Sequence, residues 1–177
     1  MKNRENEFLY STHVLDLVRL AATYCQQIED GEHLNDRQAF IDVMRGLLPM
    51  LYLKMTLLGS IPETDGWIEP YVTEEDYNMV RTRIAKCMNN CDDYLDVFVE
   101  DFKYSDTPVL RTISEDLADI YQVLRDLTSA YQTENEEIMT VALYETNESF
   151  ATQWGQTILN ALRALHDVRF NGATENL

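Results

Sequence analysis

The sequence predicts an all-α protein, a five-helix amphipathic bundle, and three observations carry that expectation. Apolar residues recur at three- and four-residue steps through five long stretches, which is the spacing of one helical face. No stretch sustains a period of two. The six glycines and four prolines fall mostly between the periodic stretches, and no internal repeat interrupts them.

The first helix is expected from about Asn6 to Glu29, with Tyr10, Val14, Leu17, Ala21, Tyr24 and Ile28 on its buried face and Asp30-Gly31 as its stop. The second should start near Asn35, whose side chain can cap the first turn, and end at Gly59. Its stripe is Phe40, Met44, Leu47, Leu51, Met55 and Leu58. Pro49 lies inside it and predicts a kink, because proline lacks the N–H and crowds the carbonyl four residues back. Residues 60–72 read as a loop whose Trp67, Ile68 and Tyr71 fold back over the bundle end.

Thr73 followed by Asp76 resembles a capping box and opens a third helix. Tyr77, Val80, Ile84, Cys87, Cys91, Tyr94 and Phe98 follow with heptad-like spacing, and Asn89-Asn90 marks a candidate break in that helix. Lys103 to Arg111 is a polar connector. Thr112 or Ser114 caps the fourth helix, whose stripe is Leu117, Ile120, Leu124, Leu127 and Tyr131. Asn135 starts a long C-terminal helix reaching Val168, with Leu143, Asn147, Phe150, Trp154, Ile158, Ala161 and Leu165 in line. Residues 1–170 are expected to form one mostly antiparallel bundle domain and 171–177 a flexible tail.

Charge narrows the partners. The chain carries 31 acids against 14 bases, a net charge of -17, and such a surface repels nucleic-acid phosphates and anionic lipid. Direct nucleic-acid or membrane binding is therefore not expected. The N-terminus shows no signal-peptide pattern, and three cysteines match no disulfide framework, so a cytoplasmic location is expected.

Ile113-Ser114-Glu115-Asp116-Leu117-Ala118-Asp119-Ile120, then Ala142-Leu143, Trp154-Gly155 and Ala161-Leu162-Arg163-Ala164-Leu165, resemble an uncharacterised bacterial family, domain of unknown function 5063. The resemblance implies a small cytoplasmic all-helical protein and brings no activity with it. Family members are richer in tryptophan just before the Trp-Gly pair, where this chain has Tyr144-Glu145-Thr146-Asn147.

The candidate chemistry is sparse. On a helix, Asp92 and Asp96 would share a face one turn apart, and Asp116 with Asp119 could face them, a spacing that suits Mg²⁺ held against a phosphorylated small molecule. Acids at a helix start also simply favour the macrodipole. Glu-x-x-His pairs of di-iron bundles are absent, since none of His13, His33 and His166 has Glu three residues before it. Glu136-Glu137 lacks the later acid of the all-α pyrophosphohydrolases, and Arg163 lies too near His166 for a helical ribonuclease signature. Cys87 and Cys91 read as small buried hydrophobes. Asn147 interrupts an apolar stripe and needs a partner such as Asp116, so Asn147, Trp154 and Trp67 are the candidate pocket residues. The reading that follows is a non-catalytic binding or protein-interaction module needing no cofactor. A metal-dependent enzyme using the Asp pairs is the alternative, and an acidic nucleic-acid mimic the second alternative.

Overall fold

The computed structural model of the protein describes residues 6–96 and 107–172. A short 3-10 turn, Glu7–Tyr10, leads into α1 (Thr12–Glu29), and Ser11 caps it by accepting from the Val14 N–H. Gly31, at φ +66°, turns the chain, and α2 (Arg37–Thr56) follows, capped by Asp36, one residue later than the asparagine expected to do so. The helical run passes through Pro49 and ends at Thr56, short of Gly59. α3 (Glu74–Met88) opens on the full capping box, with Thr73 and Asp76 exchanging hydrogen bonds.

The third helix is shorter than its heptad spacing predicts. Asn89 adopts a positive φ of 51° directly after Met88, which stops the helix, and a 3-10 turn over Asn89–Cys91 leads into a strand. That strand, β1 (Asp93–Asp96), pairs antiparallel with β2 (Val109–Thr112), Tyr94 opposite Arg111 and Asp96 opposite Val109. The connector expected up to Arg111 thus ends in a strand. Phe98, residues 103–106 of that connector and residues 173–177 of the expected tail lie outside the described residues.

Thr112 caps α4 (Ile113–Gln132), and Asn135 caps α5 (Glu136–Ser149), as their side chains suggest. The last rod is not one uniform helix. One π turn, Phe150–Trp154, joins α5 to α6 (Gly155–Phe170). Among the described residues no helix is long and apolar enough to cross a membrane.

The rods form a bundle with α4 at its centre, packed against α1, α3, α5 and α6, while α2 lies against α1 and α6. Short connections between α1 and α2, and between α4 and α5, reverse the chain. The predicted stripes supply the core: Leu17, Tyr24, Ile28, Phe40, Met44, Ile84, Leu117, Leu124, Leu143 and Ile158 are all buried. Tyr24 spends its hydroxyl on the Leu117 carbonyl at 2.9 Å, so a large aromatic enters the core without stranding a polar group.

The π turn explains the Trp154-Gly155 pair. Trp154 is 2% exposed, and its indole N–H donates to the Thr146 carbonyl, two turns back, at 2.9 Å. Its ring meets Phe150 edge-on at 5.0 Å, and Phe150 meets Tyr52 of α2 at 5.1 Å. The Gly155 N–H bonds the carbonyl of Phe150, five residues back, instead of the usual fourth. A Cβ on Gly155 would stand 2.5 Å from that carbonyl oxygen and 3.0 Å from the Phe150 ring. Glycine is there for the turn itself.

Alanine is the better helix former by about 1 kcal/mol, so an ordinary helical glycine would gain from the change. Gly155→Ala should instead destabilise by about 1–3 kcal/mol, the usual cost of forced overpacking, read from its urea midpoint. A stabilised Gly155→Ala protein would show that the π turn does not require glycine.

Candidate functional site

The four aspartates singled out by spacing do not form one carboxylate cluster. Asp92 and Asp96 flank and end a strand, so the helical geometry that would have put them on one face is absent. Asp92 instead caps α4 from a distant part of the chain. Its carbonyl accepts from the Ile113 N–H at 2.8 Å, and its carboxylate from the Ser114 N–H at 2.8 Å and the Ser114 hydroxyl at 2.6 Å. Thr112 then takes the Glu115 N–H at 3.2 Å. The free donors of the first turn are thereby satisfied, and a negative charge sits at the positive end of the helix dipole.

Asp116 is wholly buried, and its two oxygens are taken from the hairpin. Oδ1 pairs with Arg111, 2.6 Å from Nη2 and 3.2 Å from Nε, while Oδ2 accepts a short bond from the Tyr94 hydroxyl. Burial pushes the Asp116 carboxyl above its usual range, and the bonds from Tyr94 and Arg111 pull it back. Asp119, also raised by burial, accepts from the Tyr77 hydroxyl of α3 at 2.7 Å. Asp96 accepts from Asn160 of α6 at 3.1 Å, and Arg163 donates to the Leu95 carbonyl at 3.0 Å. The hairpin is clipped to α4 and α6 by these polar contacts. Among the described residues no three His, Cys, Asp or Glu side chains stand together as a metal cage.

Of the three candidate pocket residues, Trp154 is a core residue with its N–H satisfied. Asn147 is half-buried and does not meet Asp116, whose oxygens are already occupied; the polar side chain buried on that part of α5 is Thr146. Trp67 is 75% exposed, so it does not fold back over the bundle. Cys87 and Cys91 are likewise only half-buried. Cys25 is the buried thiol, pushed up to about 12 chiefly by burial.

Trp67 does border a cleft. The connection from α2 to α3 is pinned at both ends of an arch. Gly66 lies so close to α5 that a Cβ there would be 2.3 Å from Val141 Cγ2. Asp126 of α4 accepts both the Tyr71 and Val72 N–H groups at 2.8 Å. Between the anchors, Trp67, Ile68, Pro70 and Tyr71 border a cleft of about 560 Å³ over Ser129, Ala130 and Ile138. The Ser129 hydroxyl is buried with no hydrogen-bond partner among the described residues. Arg125, ion-paired to Glu29 at 3.0 Å, stacks on the Tyr71 ring at 4.9 Å. Sequence alone missed Arg111, Tyr94, Ser114 and Ser129; the one available signal was Arg111 standing just before a helix that opens with acids.

These features define a mostly helical bundle with a two-stranded clip and an aromatic arch. The chain belongs to the domain of unknown function 5063 family, whose model matches residues 8–171. It is similar to protein BF1032 from Bacteroides fragilis, whose crystal structure superposes with a TM-score of 0.80 at 34% identity, over 92% of this chain and 96% of that one. No curated protein matches the chain.

Removing Arg111 leaves a buried carboxylate without its counter-charge, so Arg111→Ala and Asp116→Ala should couple. A double-mutant cycle should return an interaction energy of about 1–3 kcal/mol, inside the range of contacting polar pairs. The Arg111→Ala penalty should shrink as pH falls, because a protonated Asp116 needs no counter-charge. Additive effects would show that the pair is not a unit.

Proposed function

We propose that the protein is a non-catalytic binding module of the cytoplasm, and that it takes a basic, apolar segment of another protein across the Trp67–Tyr71 arch. One observation carries the reading. A tryptophan is held out at 75% exposure on a connection anchored at both ends. Large aromatics presented on a pre-ordered support are the residues that dominate interfaces, since little freedom is lost when a partner covers them. The cleft beside Trp67 offers apolar walls, and Glu69 and Asp126 on its lining are acidic, in a chain of net charge -17. A cationic partner suits that field. The cytoplasmic part of the reading rests on the free thiols of Cys25, Cys87 and Cys91, which suit a reducing compartment.

The metal-dependent alternative gains nothing from the geometry, because Asp92 and Asp116 are committed to holding the hairpin on α4. Nucleic-acid mimicry has charge alone behind it.

Selection of displayed peptides against the protein tests the proposal. Enriched sequences should pair Arg or Lys with an apolar anchor. They should also change Trp67 fluorescence, which is separable because the other of the two tryptophans, Trp154, is buried. Trp67→Ala should weaken their binding by about thirtyfold, the factor for a 2 kcal/mol hot spot, while stability stays within about 0.5 kcal/mol. Peptides that bind Trp67→Ala as well as the wild type would place the partner elsewhere.

A further inference from the structure

Three helix ends meet at a second cleft, of about 600 Å³, at the other end of α3 from the arch. The fifteen residues of α3 set the two clefts roughly 20 Å apart at 1.5 Å per residue. The turn after α1, the C-terminus of α3 and the N-terminus of α2 border it, and its charged lining is Arg37, Arg83 and Lys86 against the single carboxylate of Asp36. That balance runs opposite to the rest of the molecule, where acids outnumber bases by more than two to one.

Among the described residues the cations at this cleft have no carboxylate within ion-pair distance. Arg19, Arg45, Lys54, Arg111, Arg125 and Arg169 all stand within 4 Å of an acid. No such pair involves Arg37, Arg83 or Lys86 among the described residues. The two arginines are instead fixed by backbone. Arg83 donates Nη1 to the Glu29 carbonyl at 3.1 Å, and its guanidinium fills the space over Gly31, where a Cβ would be 2.1 Å from Nη2. Arg37 donates Nη1 to the Met88 carbonyl at 3.3 Å and to Asn90 at 3.2 Å, and its Nε–H has no acceptor among the described residues. Each guanidinium carries five N–H donors; although the Arg37 Nε–H is shut off from solvent, both groups are positioned and each keeps Nη donors that no described residue accepts. Lys86 is exposed and adds a mobile charge.

Asp36 does not close the site. Its Oδ1 accepts from the Gln38 and Ala39 N–H groups at 3.0 and 3.2 Å, so it is engaged as the cap of α2. Glu29, Asp30 and Glu32 flank Gly31 in sequence, yet none of their carboxylates stands within 4 Å of Arg37, Arg83 or Lys86. We propose that this cleft is an anion site for a phosphoryl group, held by Arg37, Arg83 and Lys86 at the head of α2. Fixed planar guanidinium groups suit the tetrahedral oxygens of phosphate, and the lysine supplies a point charge that follows them. The cleft volume accommodates a small phosphorylated molecule.

Inorganic phosphate and pyrophosphate are the probes, titrated against thermal unfolding with chloride at matched ionic strength as reference. Both should raise the melting temperature saturably, pyrophosphate at lower concentration, because a ligand bound only to the native state stabilises it. Arg37 and Arg83 also hold helix ends, so their removal tests the fold as well as the site. Lys86→Glu touches no such contact. Because Lys86 stands in the last turn of α3, the charge reversal should lower melting in chloride only by the small helix-dipole cost, and it should weaken pyrophosphate at least about fivefold. A melting curve that follows ionic strength alone overturns the proposal, and so does a pyrophosphate affinity that Lys86→Glu leaves intact.

Discussion

The fold depends on how the N-terminus of α4 is held. α4 is the central helix, touching α1, α3, α5 and α6, and Ile113 and Ser114 of its first turn are buried where water cannot satisfy free N–H groups. The chain meets that demand with a residue from another element, and Asp92 supplies both a carbonyl and a carboxylate to the Ile113 and Ser114 donors. Holding Asp92 there requires that α3 stop early, which the positive φ of Asn89 accomplishes, and that the chain return as a hairpin. The hairpin in turn carries Tyr94 and Arg111 opposite each other, and both reach Asp116. One buried helix end thus accounts for a helix stop, two strands and a buried ion pair.

The end of the bundle farther along the chain is set by a second local demand. Placing Trp154 in the core requires an acceptor for its indole N–H, and the π turn lets it reach the Thr146 carbonyl while Phe150 bridges to Tyr52 of α2. The Trp154-Gly155 pair marks that turn, the indole filling the interior and the glycine clearing the Phe150 carbonyl. Surface ion pairs add registry rather than much stability. Asp42 with Arg169 ties α2 to α6, and Asp16 with Lys54 ties α1 to α2, each in solvent-screened positions.

The helices were legible because amphipathic periodicity and caps are local. The stripes of α1, α2 and α4, the Thr73–Asp76 box and the Asn135 cap follow from neighbours in sequence. The hairpin was not legible, because its pattern runs against the usual rule. Leu95 faces out at the surface while Asp96 is buried, so the strand shows no apolar face, and Asp92 to Asp96 happens to match a helical turn. The acid that looked like a metal ligand is a cap whose recipient lies 22 residues on, a pairing that only tertiary structure reveals. Trp67 could be named from sequence but not placed, since its exposure is decided by anchors at Gly66 and Asp126.

Charge divides the surface into two regimes. Glu69 and Asp126 border the aromatic arch, while Arg37, Arg83 and Lys86, which form no ion pair among the described residues, gather at the opposite end of α3. The acids inside the fold belong to neither, and their structural role is the point on which the account rests. Urea unfolding of Asp92→Ala against the wild type, in EDTA and again in saturating Mg²⁺, measures it. A loss of about 1–3 kcal/mol, the cost of stranding capped donors, is expected at the same size in both conditions. A loss that appears only when Mg²⁺ is present would contradict the account and make Asp92 a metal ligand.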